Sequence, residues 1–322
     1  MCHDGCRAIG VVAAVALVVA LGAPAAPRAQ TASAKGQASW APSKTPWGHP
    51  DLQGVWKAAE SAKPLVAPAP APRPSTGSQN RGDGTGAGPE HWYEAEPLVF
   101  LRQLIIVDPP DGRVPPLTPE GQKRASSRPG AMPQRPIGPE GFSPWDRCIT
   151  RGVPGSMIPI NYNNNYQFLQ TPDHVVILYE MIHDVRAIPL NQKDHLPPGF
   201  RRWMGDARGH WDGNTLVIET TNFTDKTRII YGDGHHSERL RLTERFTPVD
   251  ADTIRYEFTV DDAGTWERPF TAMLVLTRGE KGDRLFEYAC HEGNYGLANM
   301  LTGARADEKA AERAKTGNAG QC

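Results

Sequence analysis

Residues 240–260 read LRLTERFTPVDADTIRYEFTV. Leu240, Leu242 and Phe246 alternate with polar residues, Asp250-Ala251-Asp252 interrupts, and the run Ile254 to Val260 follows. Two such runs joined by a short turn-forming stretch predict two antiparallel strands with one buried face. Downstream, Asp261-Asp262-Ala263-Gly264 leads to Trp266 and the run Phe270 to Thr277, and Gly279 to Gly282 leads to Leu285 to Cys290. Upstream, Trp211 and Leu216 flank Asp212-Gly213-Asn214, while Tyr166 to Gln170 and His174 to Met181 flank Pro172-Asp173. Parallel strands would need crossovers of about a dozen residues or more, so tight turns mean an antiparallel meander. The expected fold is all-β, with about eight to ten strands whose edges are best removed by closure into a barrel. A β-sandwich is the alternative.

Composition agrees with this class. Gly (32) and Pro (30) make up near a fifth of the 322 residues, above a usual share of about 12%, which argues against long coiled coils, helical repeats and polytopic membrane proteins. Basic (35) and acidic (36) residues nearly cancel, with a net charge of -1, so bulk electrostatic binding to nucleic acid is not expected. Arg7, an apolar stretch from Ala8 to Leu21 and Ala23-Pro24-Ala25 read as a cleavable signal peptide over 1–30. That apolar stretch is shorter than the roughly 20 residues that span a bilayer. The expected location is therefore the periplasm or the exterior, with no integral span after cleavage.

The remaining chain divides into an N-terminal segment over 31–57, a Pro/Gly-rich excursion over 58–97, a β-barrel domain over 98–302 and a C-terminal helix or tail over 303–322. Export leaves Cys148, Cys290 and Cys322 in an oxidising compartment. Cys322 ends a polar tail, so the expected disulfide is Cys148–Cys290.

The element Gly54-Val55-Trp56 resembles the Gly-x-Trp signature that opens the first strand of lipocalin-type (calycin) barrels, where the Trp plugs the closed end. The resemblance implies a lipocalin-like closure of the meander. A wider set of motifs runs through Asp146-Arg147-Cys148, Tyr162-Asn163-Asn164-Asn165, Glu180-Met181-Ile182-His183-Asp184, Trp203-Met204-Gly205-Asp206, Trp211-Asp212-Gly213-Asn214, Thr220-Thr221-Asn222-Phe223 and Cys290-His291-Glu292-Gly293-Asn294-Tyr295. With these the chain resembles a widespread family of uncharacterised secreted bacterial proteins over roughly residues 45–310. This resemblance implies no reaction.

Exceptions to the alternation locate possible chemistry. Glu244 falls on the face of Leu240, Leu242 and Phe246, and Glu180 shares a face with Val176, Leu178 and Ile182. A buried carboxylate must be paired or held protonated, so these two predict either a polar pocket or a structural network with an inward cation such as Arg186. His183 follows closely as a general-base candidate, unless a turn there breaks the strand parity. Residues 191–209 lack a strand pattern and carry Asp194, His195, Arg201, Arg202, Trp203, Asp206 and Arg208, which reads as a ligand clamp or lid, or as a plain connector. The disulfide would hold Asp146 and Arg147 beside His291 and Glu292 as a rigid site or a clasp.

The candidate catalytic residues are thus Glu180, His183, Asp206 and His291. The candidate ligand-binding residues are Asn164, Arg186, His195, Trp203, Glu244 and Glu292. No metal motif, phosphate loop or Gly-x-Ser-x-Gly element occurs, and neither metal nor cofactor is expected. The first functional reading is an exported barrel that binds a small, largely apolar ligand. The second is a cofactor-independent acid–base enzyme (isomerase, hydratase or lyase, or hydrolase) in the same pocket, with Asn164 or Arg186 steadying negative charge. The third is an envelope interaction protein tethered by residues 58–97.

Overall fold

The hairpin at residues 240–260 forms as expected. β8 (Arg241–Asp250) and β9 (Thr253–Asp261) pair antiparallel, with Leu242 opposite Val260 and Phe246 opposite Tyr256. The structure, a computed structural model, describes residues 40–58, 105–127, 138–160, 162–229 and 234–318. The signal-peptide reading over 1–30 and almost all of the excursion over 58–97 lie outside these residues.

Eight further strands complete the sheet: β1 (Gly54–Ala58), β2 (Ile105–Asp108), β3 (Asn165–Gln170), β4 (His174–Tyr179), β5 (Val185–Pro189), β6 (Asp206–Asp212), β7 (Thr215–Thr221) and β10 (Phe270–Arg278). Their order is β5-β4-β3-β1-β10-β9-β8-β7-β6, every neighbouring pair is antiparallel, and β2 adds to β10. The nine-strand path curls into a nearly closed barrel, so the all-β barrel reading holds and the sandwich does not. Its interior is filled rather than hollow. Phe246 stacks on Tyr256 with ring centroids 4.5 Å apart, Phe168 meets Phe246 edge-on at 5.3 Å, and Ile177, Ile218, Phe258 and Leu274 pack around them.

Trp56 explains why the Gly-x-Trp element opens the barrel. The indole is buried, its Nε1–H donates to the Leu52 carbonyl at 2.8 Å, and the Arg278 guanidinium lies 4.2 Å above the ring. Arg278 also donates to the Gln53 carbonyl at 3.0 Å, tying the start of β1 to the end of β10.

Closure stops between β5 and β6. No strand among the described residues pairs with the outer edge of either. At one end side chains seal the seam: a Cβ on Gly209 would lie 2.9 Å from both Ile188 Cγ2 and Leu190 Cδ2, so glycine lets the two strands approach there.

Two expectations need correction. On β4 the buried residues are Val175, Ile177 and Tyr179, not the face containing Val176 and Leu178. Both sets are apolar, so alternation could not choose between them. The strand also ends at Tyr179: Glu180 starts a 3-10 turn in which Ile182 (φ 61°) and His183 (φ 47°) are left-handed, and this turn resets the parity so that Arg186 points inward. The second correction concerns Leu285 to Cys290, which is irregular, with none of its residues fully buried, rather than a strand. Among the described residues two α-helices accompany the barrel, α1 (Pro119–Ser127) and α2 (Tyr295–Asn318), the second beginning earlier than the expected residue 303. In α2, Leu297, Met300 and Leu301 are half-buried and Ala304 is buried, a one-sided stripe that docks its first turns. No helix among the described residues is long and apolar enough to cross a membrane.

Candidate functional site

The open seam forms a cleft among the described residues. It measures about 460 Å³ and is bordered by Val185, Arg186 and Ala187 of β5, Asp206, Ala207 and Arg208 of β6, and Leu196, Arg202 and Met204 of the loop between them. That volume suits a small ligand, within the roughly 300–1,000 Å³ common for binding pockets.

The loop over 190–205 forms a fixed wall. Asn222, at the end of β7 with φ 57°, donates from Nδ2 to the carbonyls of Leu196 (2.9 Å) and Pro197 (3.1 Å). Its own carbonyl accepts from the Arg202 N–H at 2.9 Å, and the Arg202 carbonyl accepts from Thr224 N–H. Gly205 makes the turn into β6 with φ +69°, where a Cβ would lie 2.5 Å from Thr220 Cγ2 and 2.6 Å from the Thr221 carbonyl oxygen. Only glycine fits that approach.

Asp206 anchors the polar side. Its Oδ2 accepts from the Leu196 N–H (2.9 Å) and His195 Nδ1–H (3.2 Å), and its Oδ1 from Arg208 Nη1–H (2.9 Å), with Arg202 at 3.9 Å. Burial by itself would raise its pKa, but the Leu196 and Arg208 donors outweigh burial and hold the carboxyl below the ordinary aspartate range. The Asp206 carboxylate thereby orients the His195 ring through its Nδ1.

Behind the seam lies the buried pair Arg186–Glu244. Arg186 Nη1 and Nη2 donate to Glu244 Oε1 (3.1 Å) and Oε2 (2.7 Å), and further to the Tyr179 hydroxyl (3.2 Å) and Thr220 Oγ1 (3.2 Å). Tyr256 donates its hydroxyl to Glu244 Oε1 at 2.9 Å. Both members are at most 5% exposed. Burial pushes Tyr179 up to about 12, with Arg186 pulling the other way, and burial followed by the Glu244 charge pushes Tyr256 well above its usual value. A guanidinium has five N–H donors, and four are engaged. The fifth, Nε–H of Arg186, is buried without a partner among the described residues.

The other predicted residues lie elsewhere. Glu180 is buried but does not join Glu244: Oε2 accepts from Asn165 Nδ2 (2.6 Å) and Oε1 from the Phe286 N–H (3.1 Å). His183 is exposed and donates from Nδ1 to the Tyr288 carbonyl at 2.8 Å. Cys148 and Cys290 are bonded, and Asn294 donates to the Asp146 carbonyl at 3.1 Å. These contacts staple residues 286–294 to the barrel. Asp146 and Glu292 border a second cleft of about 430 Å³, but the Asp146 carboxylate turns to Ser143, Arg147 faces Glu140 at 3.9 Å, and His291 is exposed. Asn164 closes its own loop through both Ile160 backbone groups, and Trp203 is half-buried beside the seam cleft without bordering it.

The structure therefore joins Arg186 to Glu244 and His195 to Asp206 at one seam, and leaves Glu180, His183, His291 and Glu292 around the disulfide. Sequence reasoning passed over Tyr179, Thr220 and Tyr256. Tyr256 was accessible, because it alternates with Ile254 and Phe258 on the inward face. Among the described residues no group of His, Cys, Asp and Glu is arranged to hold a metal. No protein-family profile matches the chain, and no curated protein matches it in sequence.

Proposed function

We propose that this protein is an exported barrel that binds a small, largely apolar ligand in the β5–β6 seam, as a member of the secreted bacterial family its motifs resemble. The carrying observation is the cleft itself, where buried Arg186 and Asp206 meet apolar Val185, Ala187, Leu196 and Met204 under a loop pinned by Asn222. A few fixed polar groups among apolar neighbours orient a ligand while its apolar surface supplies affinity. The N-terminal apolar segment and the Cys148–Cys290 bond support an oxidising location. Ala187 is exposed on the cleft wall, so Ala187→Trp fills the cleft with little effect on the core. Fragment screening by ligand-observed NMR should give hits on the wild type that Ala187→Trp removes. Hits that all survive this substitution, or none at all, would refute the seam as a binding site.

A second reading, acid–base catalysis, is favoured by the oriented His195–Asp206 pair at the cleft edge. Here His195→Gln should stop conversion of a bound compound while leaving its binding intact. Binding without conversion in the wild type would reject it.

A further inference from the structure

Resting on the seam as the binding site, we propose that its ligand carries a single carboxylate, received by Arg186 Nε–H and Arg202, with its apolar part along Val185, Ala187, Leu196 and Met204. The first support is a donor. Arg186 is 5% exposed and borders the cleft, yet its Nε–H has no acceptor among the described residues. An unpaired buried N–H is costly, and an anionic acceptor satisfies it with a strong charge-assisted bond.

Charge gives the second support. Glu244 offsets Arg186 and Asp206 offsets Arg208 at 2.7 and 2.9 Å, so among the described cleft residues Arg202 supplies the cation beyond these pairs. Its nearest carboxylate oxygen is 3.9 Å away and its side chain is 60% exposed, leaving it able to turn toward a ligand. One donor and one surplus positive charge match a monoanion better than a doubly charged phosphate, and they disfavour an amine. Val185, Ala187, Leu196 and Met204 border the same cleft as Arg186 and Arg202, which gives the apolar part a surface of its own.

The test titrates the disulfide-intact protein with hexanoate, hexanamide and hexyl phosphate by calorimetry. Hexanoate should bind at least about tenfold more tightly than hexanamide, the factor one charge-assisted hydrogen bond confers. Arg202→Gln should weaken hexanoate several-fold without changing hexanamide, and Ala187→Trp should abolish both. Arg186→Lys, which keeps a cation for Glu244 but removes Nε, should erase the preference. Should that variant misfold, Arg202→Gln and the hexanamide comparison decide alone. Equal binding of hexanoate and hexanamide, both lost in Ala187→Trp, overturns the carboxylate assignment and leaves the seam site standing. Tighter binding of hexyl phosphate overturns the monoanion. Failure of all three probes overturns the inference, and the fragment screen then separately decides the seam.

Discussion

Removing Glu244 should expose what the buried pair contributes. In Glu244→Leu the Arg186 guanidinium stays in a site where it is 5% exposed, with its two closest acceptor contacts gone, and the Tyr256 hydroxyl loses its acceptor. Breaking one side of a buried ion pair costs about 3–5 kcal/mol, and an orphaned hydroxyl about 1 kcal/mol more. The double variant Arg186→Met/Glu244→Leu removes both charges and puts similar volume into the aromatic interior. It should lie within about 2 kcal/mol of the wild type, because apolar replacement of a buried pair is often neutral or favourable while Tyr179 and Tyr256 each lose a bond. The assay is urea unfolding at pH 7 without reductant, followed by tryptophan fluorescence. With an m-value of roughly 3 kcal/mol/M, the single variant should lower the midpoint by more than about 1 M. A single variant costing under about 1 kcal/mol, or a double variant no better than the single, would falsify the reasoning. A stable double variant that no longer prefers hexanoate over hexanamide would separate the pair's role in binding from any role in folding.

Further outcomes are expected elsewhere in the molecule. Gly205→Ala should destabilise by about 2 kcal/mol or more, because it combines a left-handed φ with a clash against Thr220 and the β7 backbone; hydrogen exchange should show residues 190–205 unprotected, and an unchanged pattern would contradict the pinned wall. Tyr179 and Tyr256 keep their protons in the folded state above pH 10 while the unfolded chain loses them, so stability should fall from about pH 10 toward 12 by up to roughly 1.4 kcal/mol per pH unit for each. Replacing both with Phe should flatten that slope in urea titrations. Asp262 runs the opposite way: burial would raise its pKa, but donors from Ser237, Thr265 and Gly264 outweigh burial and lower it. Its contribution is present above the unfolded value of about 3.9 and lost as pH falls through the folded one, so Asp262→Asn should reduce the loss of stability between pH 5 and 3. Cys148→Ser/Cys290→Ser should lower stability by up to about 5 kcal/mol, given a separation of 142 residues, and open residues 279–294 to proteolysis while Ala187→Trp does not.

The sequence made the barrel legible where apolar and polar residues alternate. Around Leu242 and Phe246 the polar neighbours Arg241, Thr243 and Arg245 leave one possible inward face, and Glu244 on that face had to be buried. Around Ile177 no such contrast exists, since Val175 to Tyr179 is apolar on both faces, and only the left-handed turn at Ile182 and His183 resets the parity that carries Arg186 into the core. That turn is invisible to alternation, because Ile is an unfavourable residue for φ > 0. It decides the site nevertheless, since the register it resets places Arg186, three residues later, opposite Glu244 across the barrel. Arg186 and Glu244 were both legible as candidates, but their meeting was not. It depends on β5 and β8, from different parts of the meander, coming within reach through the barrel's curvature. The same curvature stops short of pairing β5 with β6, and the gap at that point leaves Arg186, whose buried Nε–H has no partner among the described residues, bordering a cleft. An incomplete barrel thus accounts together for the buried ion pair, its one unspent donor and the pinned loop that borders it.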